Sequence, residues 1–142
     1  MSTLSAALAA SASALNAERT RVEVAVSNLA NAESTRGPDG KPYRRRDVVL
    51  TADPTSSFDA VLGRAQATGV KVSEIVEDQS PFRTRYEPSH PDADEKGFVQ
   101  LPNVDAPEEM VNMLGAARAY QANLAAIGFI KDMVNRALEL GK

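Results

Sequence analysis

The chain has no cysteine, no tryptophan and a single histidine, His90. The first absence excludes disulfides and thiolate metal sites, and leaves the cellular compartment open. Only 5% of the 142 residues are aromatic, so the large side chains that usually anchor a compact core are scarce and Leu, Val, Ile and Ala must supply the packing. One imidazole excludes metal centres built on several histidines. A Ser-His-Asp triad would have to use His90 in its proline-flanked loop, where a loop-structuring role is the expectation. No P-loop, dinucleotide fingerprint, HExxH or GxSxG pattern occurs, so neither an enzyme nor a cofactor or small-molecule site is expected. The net charge of −3 gives no reason to expect nucleic acid as a partner. No apolar run approaches the ~18 residues of a transmembrane helix. The opening alternates Ser with Ala and Leu, and its first basic residue is Arg19, so it lacks the basic leader and apolar stretch of a cleaved signal peptide. A cytosolic protein is the default expectation, unless export follows a route that needs no such leader.

What the chain does have is periodicity. Met110, Met113, Ala117, Tyr120, Leu124, Ile127, Lys131, Val134 and Leu138 step alternately by three and four, the spacing of a long helix that buries one narrow seam. Only Lys131 interrupts it. Asp105 is placed to cap the first amides, Glu108 to complete a capping box, and Pro107 to sit in the first turn, with Gly141 closing the far end. Residues 3–32 carry a second such pattern in Leu4, Leu8, Ser11, Leu15, Glu18, Val22, Ala25 and Leu29. Ser11 and Glu18 weaken this seam, which favours varied neighbours over a uniform dimeric zipper. Two antiparallel helices packed on each other within one monomer remain the alternative. Such packing leaves each helix an uncovered face, so both ends are expected to be marginal in a monomer and to order when other helices cover them.

Between the helices the period shortens. Gly37-Pro38-Asp39-Gly40 is a turn, with Pro38 presetting φ and Gly40 accepting a positive one. Residues 43–51 read as a strand and 53–57 as a loop, while 58–67 fit a short helix or a strand plus loop equally well. Val70, Val72 and Ile75 mark a strand whose alternation slips near Glu74. Phe82, Thr84 and Tyr86 alternate with Arg83 and Arg85, residues 88–94 form an irregular loop, and 97–101 a last strand. The fold class expected is α+β: helical residues 1–35 and 104–142 pair in a coiled-coil-like domain, and 36–103 form an inserted β-rich module. Asp92, Asp94 and Gly97 imitate the start of an EF-hand loop, but Lys96 at position five and Asn103 at position twelve break it, leaving a turn with solvated acids. Arg44, Arg45 and Arg46 alternate faces in a strand, which suits salt bridges with acidic neighbours better than a one-sided phosphate stripe.

The segment Ser27-Asn28-Leu29-Ala30-Asn31-Ala32-Glu33-Ser34-Thr35-Arg36 resembles the signature that ends the N-terminal helix in the bacterial flagellar rod and hook protein family. Pro42-Tyr43-Arg44-Arg45, Tyr86-Glu87-Pro88-Ser89-His90-Pro91-Asp92-Ala93-Asp94, Gly97-Phe98-Val99 and Pro102-Asn103-Val104 are similar to a proximal rod member of it. So are Glu108-Glu109-Met110-Val111-Asn112-Met113 and Ala117-Arg118-Ala119-Tyr120-Gln121-Ala122-Asn123. Ser34 stands where the family often has Thr, and residues 53–69 match no pattern. The resemblance implies a structural subunit that polymerises helically into the proximal rod, the periplasmic drive shaft of the flagellum. It implies export by the flagellar type III apparatus without a cleaved signal peptide. The partners implied are sister subunits, other proximal and distal rod proteins, and the rotor membrane ring with its rod adaptor. The assembly interface expected comprises Leu4, Leu8, Leu15, Val22, Asn28, Leu29 and Asn31 on the first helix and Met110, Met113, Tyr120, Leu124, Ile127, Val134 and Leu138 on the second. Asn28 and Asn31 are expected to bond backbone groups or adjacent subunits, with ordinary capping the alternative. Two rival classes are an intracellular coiled-coil adaptor, which shares the seams but needs no β module, and an enzyme built around His90 or the acidic loop.

Overall fold

A computed structural model describes residues 3–53 and 68–140. Helix α1 (Thr3–Ala30) leads into β1 (Arg46–Asp53), β2 (Gly69–Glu77), β3 (Arg83–Tyr86) and β4 (Phe98–Leu101), and the described chain ends in helix α2 (Ala106–Leu140). Strands β1 and β2 form one two-stranded sheet, β3 and β4 another. Two long terminal helices with small sheets between them make this an α+β fold, as expected. The readings for residues 54–57 and 58–67, and for Gly141, lie outside the described residues.

Helix α2 runs for 35 residues, about 52 Å at 1.5 Å per residue. It starts where Asp105 Oδ1 accepts the Glu108 amide at 3.2 Å and the Asp105 carbonyl accepts that of Glu109 at 3.0 Å, with Pro107 harmless in the first turn. Helix α1 ends in a tightened turn, in which the Asn31 amide donates to both Ser27 and Asn28 carbonyls at 3.2 Å. The Asn31 side chain also donates to the Ser27 carbonyl, at 2.8 Å, so Asn31 takes the capping role. At the turn that follows, Gly40 donates to the Gly37 carbonyl at 3.0 Å with φ +78°.

The strands depart from the expected pattern in three places. Strand β1 begins at Arg46 and not at Tyr43, because side chains take the preceding backbone groups. The Arg45 amide donates to Asn103 Oδ1 and the Arg46 amide to Asn28 Oδ1, both at 2.9 Å. Strand β2 runs without a slip at Glu74: Val70, Val72 and Val76 keep one parity on the more covered side, and Ile75 is left 46% exposed. In the second sheet the buried apolar side chains come from β4, as Val99 and Leu101, and β3 is exposed throughout. The antiparallel register sets Arg83 opposite Leu101 and Arg85 opposite Val99, so arginine stems cover that face. Tyr86 and Phe98 meet edge to face at 5.3 Å on the other face.

The chain forms two compact units. One draws on Met1–Thr20, Val49–Glu74 and Gly115–Lys142, the other on Arg21–Val48 and Ile75–Leu114. In the first, Ser13 Oγ donates to the Ala10 carbonyl at 2.7 Å and accepts the Val70 amide at 3.0 Å. Gly69 lies so near that an added Cβ would meet Ser13 Oγ at 2.9 Å. The buried apolar side chains described in this unit are Ala17 and Ala116. The second unit has a larger core, of Val99, Leu101, Pro102 and Val104 with Ala25 and Ala32.

Candidate functional site

The second unit is organised around a buried amide. Asn28, 1% exposed, donates through Nδ2 to the Arg46 carbonyl at 2.8 Å and to Glu109 Oε2 at 3.0 Å. Its Oδ1 accepts the Tyr43 hydroxyl and the Arg46 amide, both at 2.9 Å. All four hydrogen-bonding positions of one carboxamide are therefore used. They tie the last turn of α1, the start of β1 and the first turn of α2 to a single side chain. Among the described residues no buried side-chain polar atom is left without a partner.

Glu109, 2% exposed, holds this place because it is paired. Arg45 Nε donates to Glu109 Oε1 at 2.6 Å, a charge-assisted bond. Burial pulls the Arg45 guanidinium pKa down, but the hydrogen bond and charge of Glu109, helped by Asp47 and Glu108, more than offset this and leave it above its ordinary value. Glu108 turns its carboxylate toward Arg45, at 3.9 Å. Asp78 lies 3.7 Å from Arg45, and its carboxyl is held below the usual range by the backbone and hydroxyl of Ser80, with Arg45 and Arg44 adding to the effect. Arg44 donates to the Asp78 carbonyl at 2.9 Å and stacks on Phe82 at 4.4 Å. Arg46 lies 3.9 Å from Glu77. The arginine run thus works within the chain, bonded to acids and carbonyls as its spacing suggested.

The loop ahead of β4 is built the same way. His90 Nδ1 accepts the Asp92 amide at 3.0 Å, the structuring role expected of it. Asp94 Oδ1 accepts the Lys96 and Phe98 amides at 2.9 and 2.8 Å, so this carboxylate shapes the turn. Thr35 donates to Asp92 at 2.8 Å and Arg36 lies 3.3 Å from it.

The expected interface residues fall into three groups. Asn28 and Asn31 spend their side chains inside the chain, as described. Leu4, Leu8, Leu15, Val22, Leu29, Met113, Ile127 and Val134 are half-buried. Met110, Tyr120, Leu124 and Leu138 are exposed, the last by 65%. On α2 the buried Glu109 and Ala116 each lie one residue before the predicted seam, a rotation of about 100°. On α1 the buried Ala17 and Asn28 do the same, while Ala25 is a predicted seam residue that is itself buried. Sequence reasoning missed Tyr43, Asp78, Asn103 and Glu109. The signal available for Glu109 was a carboxylate one position from an apolar seam.

Two family models match. One, described as flagella basal body rod protein, covers residues 8–38, and the other, flagellar basal body rod FlgEFG protein C-terminal, covers 95–140. The chain is similar to the flagellar basal-body rod protein FlgC of Escherichia coli O6:H1, 47% identical over 92% of each chain. It is also similar to FlgC of Bacillus subtilis, at 44% over 93% of this chain and 94% of that one. FlgC of Borreliella burgdorferi is 39% identical over 89% and 90%.

Proposed function

The chain belongs to the FlgC family of flagellar basal-body rod proteins, and from that membership we propose that it is a proximal rod subunit, polymerising helically into the periplasmic shaft that carries torque toward the hook. Family membership makes it a structural component of the basal body that associates with other basal-body components. The finer reading adds self-association, contacts with proximal and distal rod proteins and with the rotor membrane ring and its adaptor, and passage through the type III export apparatus without cleavage. In this reading residues 1–35 and 104–142 build the rod core, and 36–103 form a module inserted between them.

The observation that carries the reading is the apolar length of α2 left in water. Met110 is 49% exposed, Leu124 55% and Leu138 65%, on a helix far longer than the ordinary globular one. Side chains of this size bring about 1.5–3 kcal/mol each when fully covered, so neighbouring helices gain by seating on them. A torque shaft needs stiffness along its axis, which close-packed long helices supply.

The test is replacement of the native subunit by a tagged copy in a flagellated host. The tagged chain is expected in purified basal bodies, with its N-terminus intact by mass spectrometry and swimming restored. Retention in the cytosol, with motility indifferent to its loss, would instead support an adaptor.

A further inference from the structure

A cavity of about 660 Å3 opens on the second unit, between the turn at residues 37–40, the start of β1 and the end of β2. Four cations line it, Arg36, Lys41, Arg44 and Arg46, against two carboxylates, Asp39 and Glu77. The lining is therefore positive on a chain whose net charge is −3. Its own acids compensate little of this. Glu77 stands 3.9 Å from Arg46 with both side chains about half exposed, where an ion pair is weak. Asp39 Oδ1 faces the Lys41 amide at 3.4 Å and so serves its own turn. Among the described residues neither Lys41 nor Arg44 forms an ion pair. Arg44 Nη1 donates to the Asp78 and Ser80 carbonyls at 2.9 and 3.2 Å, which hold the guanidinium in place without neutralising it. Phe82 lies 4.4 Å under Arg44 and Tyr43 5.7 Å under Arg46, so aromatic faces fix both groups. Arg36 has Asp92 at 3.3 Å, but 67% of its side chain is exposed.

We infer that this cavity binds an extended acidic segment of another basal-body protein, with carboxylates on the four cations and apolar side chains against Tyr43 and Phe82. The inference deepens the family's association with other basal-body components and needs no helical polymerisation. Guanidinium groups take carboxylates through two parallel N–H donors. A lone inorganic anion would fill a small part of the space, since one water occupies only about 30 Å3 of liquid, whereas a peptide brings several carboxylates on one strand. A second copy of this chain is a poor donor. Its most acid-rich stretch is Asp92-Ala93-Asp94-Glu95, in which Asp92 is held by Thr35 and Arg36 and Asp94 by the Lys96 and Phe98 amides. Offering that stretch would unmake the donor's own loop.

The full-length chain is titrated, by fluorescence anisotropy at low salt, with a fluorescein-labelled peptide of alternating Glu and Pro, which is extended and carries no positive side chain. The expected result is saturable binding, absent with the matching Lys-Pro peptide. Lys41→Glu should weaken it at least fivefold and Lys41→Arg by no more than twofold. Lys96→Glu, an equal change of charge at an exposed turn residue outside the cavity lining, should also weaken it by no more than twofold. No binding, equal binding of the two peptides, equal weakening by Lys41→Glu and Lys96→Glu, or full displacement by equimolar inorganic phosphate overturns the site. In basal bodies, Lys41→p-benzoylphenylalanine is expected to cross-link to an acid-rich segment of a second protein, read by mass spectrometry. A cross-link only to another copy of this chain, or to a segment without carboxylates, overturns the choice of partner. Absence of the wild-type chain from basal bodies would strike the rod reading instead, on which the titration does not depend.

Discussion

The residue on which the second unit depends most is Asn28, because its loss strands several buried groups at once. In Asn28→Ala, Glu109 keeps Arg45 but loses its second donor, while the Tyr43 hydroxyl and Arg46 amide lose their acceptor. Unpaired buried groups of this kind cost about 2–4 kcal/mol together, a shift that a urea titration would read directly. Asn28→Asp is expected to be no milder at neutral pH, since it sets a second carboxylate beside Glu109 and the Arg46 carbonyl. Gly97 is fixed for a different reason: its φ is +81°, and a Cβ would meet Tyr86 Cε2 at 2.9 Å. Gly97→Ala should cost about 1–3 kcal/mol, with the loss of the Tyr86–Phe98 contact visible in the aromatic NMR shifts. Asp78 sets a pH dependence. Hydrogen bonds from Ser80 hold its carboxyl below the ordinary aspartate range in the folded chain, so the stability it contributes is fully present above the unfolded pKa and is lost as pH falls through the folded one. Urea midpoints measured downward from pH 6 should therefore drop below about pH 4, and Asp78→Asn should flatten that limb.

At the scale of elements, both helices, the turn at residues 37–40 and the existence of four strands were legible from period and turn chemistry. What periodicity could not decide is which neighbour covers which face. A lone chain buries Ala17, Ala25 and Ala116, because small residues allow close approach, and the larger seam residues are left at the flank or in water. A pattern search weighted by apolar size finds the latter. The site was half legible for a similar reason: the segment around Asn28 stood out, but Glu109 is 81 positions away, and no spacing rule connects them. Arg45 could be read as a salt-bridge residue, yet its partner could not be named. The exposed seam makes a separable prediction. Leu124→Asp, at a position 55% exposed, should change the stability of the isolated chain by under about 0.5 kcal/mol, while sharply reducing recovery of the chain in basal bodies. Equal loss in both measurements would mean that Leu124 is already covered in the monomer.

For the whole molecule, the contrast between the units bears on when the chain becomes ordered. The unit of Arg21–Val48 and Ile75–Leu114 buries Val99, Leu101 and Val104 to 1% exposure or less and has the Asn28 network besides. In the other unit the buried apolar side chains described are alanines, each removing far less apolar surface from water than a leucine or valine. Fixing a residue costs on the order of 1–2 kcal/mol of conformational entropy in either unit, so the net opening free energy must be lower where burial is small. Hydrogen exchange on the isolated chain should therefore show amides of residues 24–29, 98–101, 103, 104 and 109–114 protected by several orders of magnitude, and those of 5–17 and 120–138 exchanging near their intrinsic rates. In purified basal bodies the second set should slow to match the first, because sister helices then cover Leu124, Phe129 and Leu138. Uniform strong protection in the isolated chain would show that its helices need no partner to stay ordered, and the link between folding and assembly would be lost.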